Sequence, residues 1–339
     1  MNCVSGQRWI GLLAFVAGVV WLIAPTRADR PDVFDRSFGS VDTLDPKADG
    51  NPDSQACLDG LCWNPSEFIT SCHRPLAWRY DCLVRFPSAI SSGNSVNDLV
   101  AMEWHMARNE EGEIAKAPAV IVVHESGRQM AVGRAFALLL SRAGVHAFMI
   151  QLPGYGERRN ADSQPTAGDL MRQTRQAVAD VRRARDAVVN LPLVEANRIT
   201  VQGTSLGGFV AATAAGLDDK FDAVFVMLAG GELLSVIENG QRDAANMREK
   251  LAAEGITGQK LAEIVYHVEP NRVAHRLTPD KTWLFSGRTD QVVPLANAKS
   301  WAKAVGLTQQ HHVIMEADHY SGIVFLPKMV LQVRDEILK

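Results

Sequence analysis

From about residue 80 onward, short apolar runs alternate with stretches that have helical spacing. Two segments, 81–87 and 98–106, flank a Ser/Gly/Asn turn and are predicted as an antiparallel hairpin. The later runs are each predicted as a buried strand and lie at 117–123, 145–152, 198–203, 223–228, 282–286 and 312–316. Apolar strands alternating with helices predict an α/β fold whose mostly parallel sheet has helices on both faces.

The helical stretches between these strands differ in character. A capping-box pattern, Thr166-x-x-Asp169, is predicted to open a long helix with an apolar stripe at Val178, Val181 and Val188. The arginines of that helix are predicted to lie on a solvated face; they include Arg175, Arg182 and Arg185. Residues 231–280 are charged and helical in pattern, and we expect a small cap-like insertion over the strand ends.

The first residues have the pattern of an export signal. Arg8 precedes an unbroken apolar or small run, WIGLLAFVAGVVWLIA, which Pro25 ends, and a small-residue site follows at Ala28. We therefore expect residues 1–28 to be a signal peptide cleaved near Ala28. The mature protein would be secreted or periplasmic, with no stable membrane insertion. The alternative is an uncleaved membrane anchor, for which the run is slightly short.

The next segment, 29–79, is predicted as a polar linker followed by a cysteine-rich extension. Its cysteines, with one just beyond it, are even in number and closely spaced: Cys57, Cys62, Cys72 and Cys82. In an oxidising compartment this spacing predicts two disulfides, with three pairings open. A zinc site that includes His73 is the alternative, but the spacing C-x4-C-x9-C-x9-C is not typical of zinc ribbons or fingers.

Composition narrows the classes of function. The 339 residues carry a formal net charge of -3, which argues against a nucleic-acid surface. The length suits one large domain, predicted at 80–339, plus the extension. No metal or organic cofactor is expected, since GTSLGG places a serine where a dinucleotide pyrophosphate would approach. The pattern carries no indication of an oligomeric state.

One motif carries the chemistry. Residues 203–207, Gly-Thr-Ser-Leu-Gly, fit G-x-S-x-G, follow the strand-like RITVQ and open the helix-like LGGFVAATAAG. A serine on a sharp strand-to-helix turn projects its hydroxyl above the sheet, and small neighbours let the backbone pass. We therefore expect Ser205 to be a nucleophile.

Here the sequence resembles the α/β-hydrolase superfamily over most of residues 80–339. The nearest resemblance is to dienelactone-hydrolase-like, acyl-esterase and prolyl-oligopeptidase-like enzymes. The superfamily's chain order is nucleophile, acid, histidine. The resemblance implies Asp290, in WLFSGRTDQVVP, as the acid and His319, in VIMEADHYSG, as the base.

The resemblance also implies an oxyanion hole. One backbone N–H would come from Leu206, after the nucleophile. The other would come from Ser126, in a loop His124-Glu125-Ser126-Gly127 that departs from the superfamily's H-G-G pattern. A glutamate occurs at a comparable place in dienelactone hydrolases; Glu125 is expected to touch either the nucleophile or a loop arginine. Tyr155, in the loop LPGYGER, is expected to line the site.

These features predict an exported serine hydrolase that cleaves a small-molecule carboxylic ester through an acyl-enzyme. Two alternatives stay open. One is a prolyl-oligopeptidase-like peptidase, although neither a propeller-length region before the hydrolase domain nor an acidic pair for a free amine is evident. The other is a non-catalytic binding protein that kept the fold, against which the complete triad argues.

Overall fold

A computed structural model of the chain describes residues 33–75, 78–160, 166 and 169–339. The predicted signal peptide, 1–28, lies outside the described residues. Among the helices of the described part, none has the length and apolar character needed to cross a membrane.

Within the described residues, ten strands form one sheet in the order β1-β2-β3-β4-β6-β5-β7-β8-β9-β10. The strands are β1 (Arg36–Val41), β2 (Glu67–His73), β3 (Cys82–Pro87), β4 (Leu99–His105), β5 (Ala117–Val123), β6 (His146–Gln151), β7 (Val194–Thr204), β8 (Val224–Met227), β9 (Thr282–Gly287) and β10 (His312–Met315). Neighbours from β6 to β10 along this order are parallel, whereas each neighbouring pair from β1 to β4 and the pair β4–β6 are antiparallel. The predicted hairpin and the mostly parallel sheet are confirmed.

Helices cover both faces of this sheet. They are α1 (Pro52–Leu61), α2 (Ala131–Arg142), α3 (Leu170–Val189), α4 (Leu206–Gly216), α5 (Leu233–Asn239), α6 (Asp243–Ala253), α7 (Gly258–Tyr266), α8 (Asn271–Ala274), α9 (Leu295–Val305) and α10 (Leu326–Leu338). Alternate residues of β5 point to opposite faces: Ile121 packs in the core beneath α3, α4 and α9, and Val122 in the core beneath α2 and α10. The segment predicted as a helical insertion, 231–280, holds α5 to α8, and α5 to α7 share a small apolar cluster.

The predicted linker is wrong where the structure describes it, because residues 33–75 supply β1, α1 and β2. These elements extend the sheet and pack on α3. Asp42 accepts hydrogen bonds from Arg183 and from Trp63 Nε1, at 2.8 Å for the tryptophan. Thr43 N donates to Asp186 Oδ2 at 2.7 Å. Asp42 and Thr43, two of the polar residues that suggested a linker, are thus satisfied by partners that include Arg183 and Asp186 of α3.

The predicted solvated face of α3 is also wrong at Arg182, whose side chain is fully buried. It forms ion pairs with Asp186 at 2.9 Å and with Asp218 at 2.8 Å. Buried arginines need such partners, and the sequence pattern does not show that two acids converge there. The capping box is displaced as well: α3 begins after Asp169, whose carboxylate accepts hydrogen bonds from Thr166 at 3.1 Å. The apolar stripe of the helix is buried as predicted, at Val178, Val181 and Val188.

The structure also differs from the prediction of two disulfides, since the four cysteines are free thiols. The Cys57 thiol is directed at the backbone carbonyl of His267, at 3.4 Å. The Cys82 thiol is directed at the carbonyl of His73, also at 3.4 Å. Burial raises the pKa of the Cys57 thiol to about 12. Among the described residues, no cluster of three or more side chains suited to a metal ion occurs.

Candidate active site

Ser205 lies in the turn between β7 and α4, with φ 53° and ψ −119°. Such a positive φ is rare for a residue with a side chain and marks a strained turn. The glycines of the motif permit the turn physically. A Cβ at Gly203 would lie 2.1 Å from the carbonyl oxygen of Gly207, and one at Gly207 would lie 2.2 Å from that of Val123. The motif therefore exists because three backbone segments meet behind the serine.

The three residues predicted as a triad are brought together in one hydrogen-bonded series. Ser205 Oγ lies 2.9 Å from His319 Nε2, and His319 Nδ1 lies 2.7 Å from Asp290 Oδ2. They come from the carboxyl ends of β7, β9 and β10, which meet at one edge of the sheet. This arrangement lets the imidazole accept the serine proton at Nε2 while the carboxylate holds Nδ1–H.

The orientation of the Asp290 carboxylate is fixed by hydrogen bonds to the oxygen that does not contact His319. Its Oδ1 accepts hydrogen bonds from the backbone N–H groups of Val292 at 2.8 Å and Val293 at 2.9 Å. Its side chain is only 1% exposed, and that of His319 is 7% exposed. The carboxylate therefore holds one orientation, and the two imidazole nitrogens have distinct roles.

Leu206 is the first residue of α4, so its N–H has no carbonyl partner within the helix. It follows the nucleophile directly, at the helix end where the dipole favours negative charge. Ser126 lies across from it in the loop after β5 and lines the same pocket as Ser205. The two predicted oxyanion donors therefore belong to segments that flank the serine.

Glu125 holds the loop that carries Ser126. The sequence left open whether this residue touches the nucleophile or a loop arginine, and the structure shows neither contact. The carboxylate touches neither the nucleophile nor an arginine through a hydrogen bond. It caps α2 instead, accepting from Val132 N at 3.1 Å and from Gly133 N at 3.0 Å. Since Met130 precedes α2 in a left-handed conformation without a side-chain cap, Glu125 satisfies N–H groups that the helix leaves open.

His124 fixes the same loop from the buried side. Its Nε2 accepts a hydrogen bond from Leu152 N at 3.1 Å, so its Nδ1 carries the proton and donates to the carbonyl oxygen of Glu125 at 2.6 Å. In a trans peptide the C=O and the following N–H point in opposite directions. Anchoring the Glu125 carbonyl toward His124 therefore turns the Ser126 N–H away from that ring. Burial lowers the pKa of His124 to about 4, so the ring is neutral at pH 7.

Tyr155, predicted to line the site, does not border the pocket that contains Ser205 and instead holds this loop. Its hydroxyl donates to the carbonyl of Ser126 at 3.0 Å, and its ring packs edge-on against His124 with centroids 4.6 Å apart. The loop is thus tied at three consecutive residues.

Two cavities open beside the triad. The larger, about 320 Å³, contains Ser205 and Ser126 and is lined mainly by apolar side chains of α2, β8 and α10. The smaller, about 220 Å³, lies against His319 and is lined by polar side chains that include Arg242 and Gln291. Tyr320 borders both cavities.

The sequence reasoning missed two residues that line these cavities, Tyr320 and Arg242. Tyr320 follows His319 directly in DHYSG, a position that could have marked it. Arg242 precedes α6, and its guanidinium lies 5.1 Å from the centre of the Tyr320 ring. No pattern around Arg242 signals this contact, because it depends on how the segment between β8 and β9 folds back over the site.

A serine at such a strand-to-helix turn, followed in chain order by an acid and a histidine at the same sheet edge, defines an α/β-hydrolase. The model of the prolyl oligopeptidase family matches residues 138–324, more than half of the chain. The chain therefore belongs to the prolyl oligopeptidase family and is a serine hydrolase.

Solved structures agree on the fold. An acetyl xylan esterase from Paenibacillus sp. R4 is similar with a TM-score of 0.61 and 14% identity, covering 86% of this chain and 96% of that one. Acetyl xylan esterase 1 from Thermoanaerobacterium sp. is similar with a TM-score of 0.61 and 15% identity, covering 88% of this chain and 96% of that one. A Mycobacterium tuberculosis puromycin-hydrolysing peptidase gives 0.56 and 14%, covering 80% of this chain and 45% of that one. At these identities the likeness concerns the fold alone. A sequence search of the curated proteins gives no match.

Proposed function

We propose that this protein hydrolyses small-molecule carboxylic esters through an acyl-enzyme on Ser205 and works outside the cytoplasm. The observation that carries the proposal is the hydrogen-bonded series from Ser205 Oγ through His319 to Asp290. It opens into a mainly apolar cavity that contains the serine. An apolar cavity beside the nucleophile suits the carbon chain of an acyl group.

The reaction begins when Ser205 Oγ attacks the ester carbonyl while His319 Nε2 takes its proton. Asp290 stabilises the imidazolium that forms. The negative charge on the carbonyl oxygen lies between the N–H groups of Leu206 and Ser126. When the tetrahedral intermediate collapses, the C–O bond to the alcohol breaks and His319 returns the proton to the departing oxygen. Water then attacks the acyl-enzyme by the same route and releases the acid.

A peptidase is the second candidate, favoured by the family to which the chain belongs. The esterase is preferred because of the apolar cavity beside Ser205, and the extent of the fold is compatible with it. The chain spans 96% of each acetyl xylan esterase but only 45% of the puromycin-hydrolysing peptidase.

The test begins with a fluorophosphonate probe on the wild type and on Ser205→Ala. We expect covalent labelling of the wild type only. A panel of p-nitrophenyl esters and aminoacyl p-nitroanilides then compares the two candidates by kcat/KM, with faster turnover of the esters expected. Rapid cleavage of the anilides alone would reverse the assignment, and an unlabelled wild type would favour a binding protein.

The proposed location rests on the apolar run after Arg8. Expression of the full chain in a bacterium, followed by fractionation and intact-mass measurement, tests it. We expect to find the protein outside the cytoplasm, with a mass that shows cleavage near Ala28 and loss of residues 1–28. A cytoplasmic protein that retains Met1 would contradict the proposal.

A further inference from the structure

We infer that the preferred substrate joins an apolar acid, several carbons longer than acetate, to a polar and uncharged hydroxyl compound. This inference rests on the proposed function. It comes from the two cavities that flank His319, which differ in volume, in the atoms that line them and in their position relative to the reacting bond.

The larger cavity is placed to hold the acyl group. It is lined by Ser205, which keeps the acyl group after the first step, and by Ser126, the proposed second oxyanion donor. The polar residues Glu125, Thr204, Asp243, His319 and Tyr320 border this cavity near the serine. Most of its remaining wall is apolar and comes from α2, from α10 and from the end of β8: Val132, Phe136, Met227, Leu228, Leu326 and Met329. An acyl chain that extends from Ser205 therefore enters apolar surroundings between the two helices.

The size of this cavity excludes a site built for acetate. Its volume is about 320 Å³. A water molecule occupies about 30 Å³ of liquid, and an acetyl group has a single methyl of similar size. An acetyl ester would leave most of the apolar wall against water, whereas a medium-length chain would bury it. Phe136 on α2 and Met329 on α10 both line the cavity, so both are suited to limit the length of the chain.

The smaller cavity is placed to hold the alcohol. It is lined by His319 without Ser205, and His319 must deliver a proton to the departing oxygen. Its other polar side chains are Arg242, Thr289, Gln291 and Asp318. The charges of Arg242 and Asp318 are opposite in sign, so this wall offers hydrogen bonds without a net charge. Such a wall favours a hydroxyl-rich alcohol over a charged one.

Arg242 has an unusual backbone conformation and contacts the Tyr320 ring. It has φ 54° and ψ −111°, and its side chain lies over the Tyr320 ring, which borders both cavities. A positive φ at a residue with a side chain is unfavourable and persists only where the surroundings hold it. Arg242 thus lines the alcohol cavity together with His319.

The experiment measures kcat/KM for p-nitrophenyl esters from acetyl to dodecanoyl, after labelling with a small fluorophosphonate has shown whether Ser205 reacts. We expect about a fourfold increase for each added methylene up to the length that the cavity holds. Phe136→Trp and Met329→Trp should each move the optimum to shorter chains. Leu138→Trp is the matched control on α2, since Leu138 is 39% exposed and lies outside the cavity; it should leave the optimum unchanged.

The alcohol is tested with one acyl chain in two esters, octanoyl glycerol and ethyl octanoate. The wild type should prefer the glycerol ester at least about tenfold, as expected for two or more hydrogen bonds to the alcohol. Arg242→Gly, which removes the side chain and suits the positive φ, should lower this ratio.

The outcomes separate the two proposals. If the small fluorophosphonate does not label Ser205, the proposed function fails and this inference fails with it. If Ser205 is labelled but acetyl esters turn over fastest, or the tryptophan variants keep the wild-type optimum, the acyl assignment alone is overturned. A glycerol preference that is absent, or that survives in Arg242→Gly, overturns the alcohol assignment.

Discussion

The two halves of the sheet use the same kinds of polar side chain for different purposes. At the carboxyl edge of the parallel half, Asp290 and His319 form a hydrogen-bonded series that ends at a hydroxyl beside two cavities. Behind the antiparallel half, Arg183 and Asp42 form an ion pair that is buried between α3 and the segment before α1. The first series leads to a reacting atom, whereas the second joins two parts of the chain.

The difference lies in what each group leaves exposed. Arg182 is enclosed by Asp186 and Asp218, with all three side chains fully buried, so no substrate can reach it. Ser205 is only partly buried and opens into the larger cavity. A buried polar cluster therefore indicates function only where one member faces a cavity. The comparison predicts that changes in the first region affect catalysis and changes in the second affect stability.

The largest expected effect is on catalysis. Asp290→Asn should lower kcat for an ester by about 10⁴, because the amide no longer holds His319 in the tautomer that accepts the serine proton. Steady-state kinetics on the purified variant measure this, and thermal unfolding should show a folded protein. Glu316→Gln is the control: this acid also lies near His319 in sequence, but its side chain is 71% exposed and paired with Arg288. A kcat within tenfold of wild type for Asp290→Asn would contradict the assigned role.

The second prediction concerns stability. Asp42→Ala should lower the free energy of unfolding by about 3–5 kcal/mol, because it leaves Arg183 buried without its partner. Urea unfolding measures the loss, and kcat per folded molecule should stay near that of wild type. Asp335→Ala, which removes an exposed pair with Arg334, is the control and should change the unfolding free energy by less than about 1 kcal/mol. Equal losses in both variants would mean that the segment before α1 is not held as the structure shows.

The same contrast explains what could be predicted from the sequence. Strands of the parallel half are buried on both faces and appear as continuous apolar runs, such as APAVIVV in β5. The six predicted runs from 117 to 316 each contain a strand. The nucleophile motif, the acid loop and the terminal histidine follow strands whose ends must meet at one edge. The resemblance to the α/β-hydrolase superfamily, with its chain order of nucleophile, acid and histidine, predicted which residues would meet. Parallel strands that end at one edge of the sheet explain why they do.

The antiparallel half lacked so clear a pattern. In β2 the inward residues are Phe68, Thr70 and Cys72, alternating with outward ones, but only one of the three is strongly apolar. The polar residues around Asp42 are satisfied by arginines more than 100 positions away, a pairing that local patterns do not contain. The cysteine spacing gave a similar error, because proximity in sequence says nothing about where each thiol points. Polar contacts between residues far apart in sequence are therefore the part of this fold that local sequence patterns do not predict.

The third prediction returns to the catalytic edge. Glu125→Ala should lower kcat by about tenfold to a hundredfold with a smaller change in KM, because α2 loses its cap and the Ser126 N–H is no longer held in position. Glu125→Gln retains an oxygen that accepts a hydrogen bond and should recover part of the loss. Steady-state kinetics of the wild type, Glu125→Ala and Glu125→Gln with one ester measure the separate changes in kcat and KM. A rise in KM alone, with kcat unchanged, would show that Glu125 contacts substrate rather than positioning the loop.

The smallest expected effect is a dependence of stability on pH. Burial lowers the pKa of His124 and of His146 to about 4, whereas an unfolded histidine has a pKa of about 6.5. Below pH 7 the unfolded chain therefore binds protons that the folded one excludes, so acidification favours unfolding. The free energy of unfolding should fall by about 1 kcal/mol between pH 7 and pH 6. Burial lowers the pKa of His105 and His312 in the same direction.

Urea unfolding at pH 7, 6.5 and 6 measures this dependence, and His73→Gln is the control, since His73 is exposed on β2 and should leave the slope unchanged. The result also sharpens the comparison between the two regions. His124 holds the oxyanion loop at the catalytic edge. His146, on β6, accepts a hydrogen bond from Trp104 of β4 at 3.1 Å, where the parallel and antiparallel halves of the sheet meet. A free energy of unfolding that stays constant or rises on acidification would mean that neither ring is kept neutral by burial.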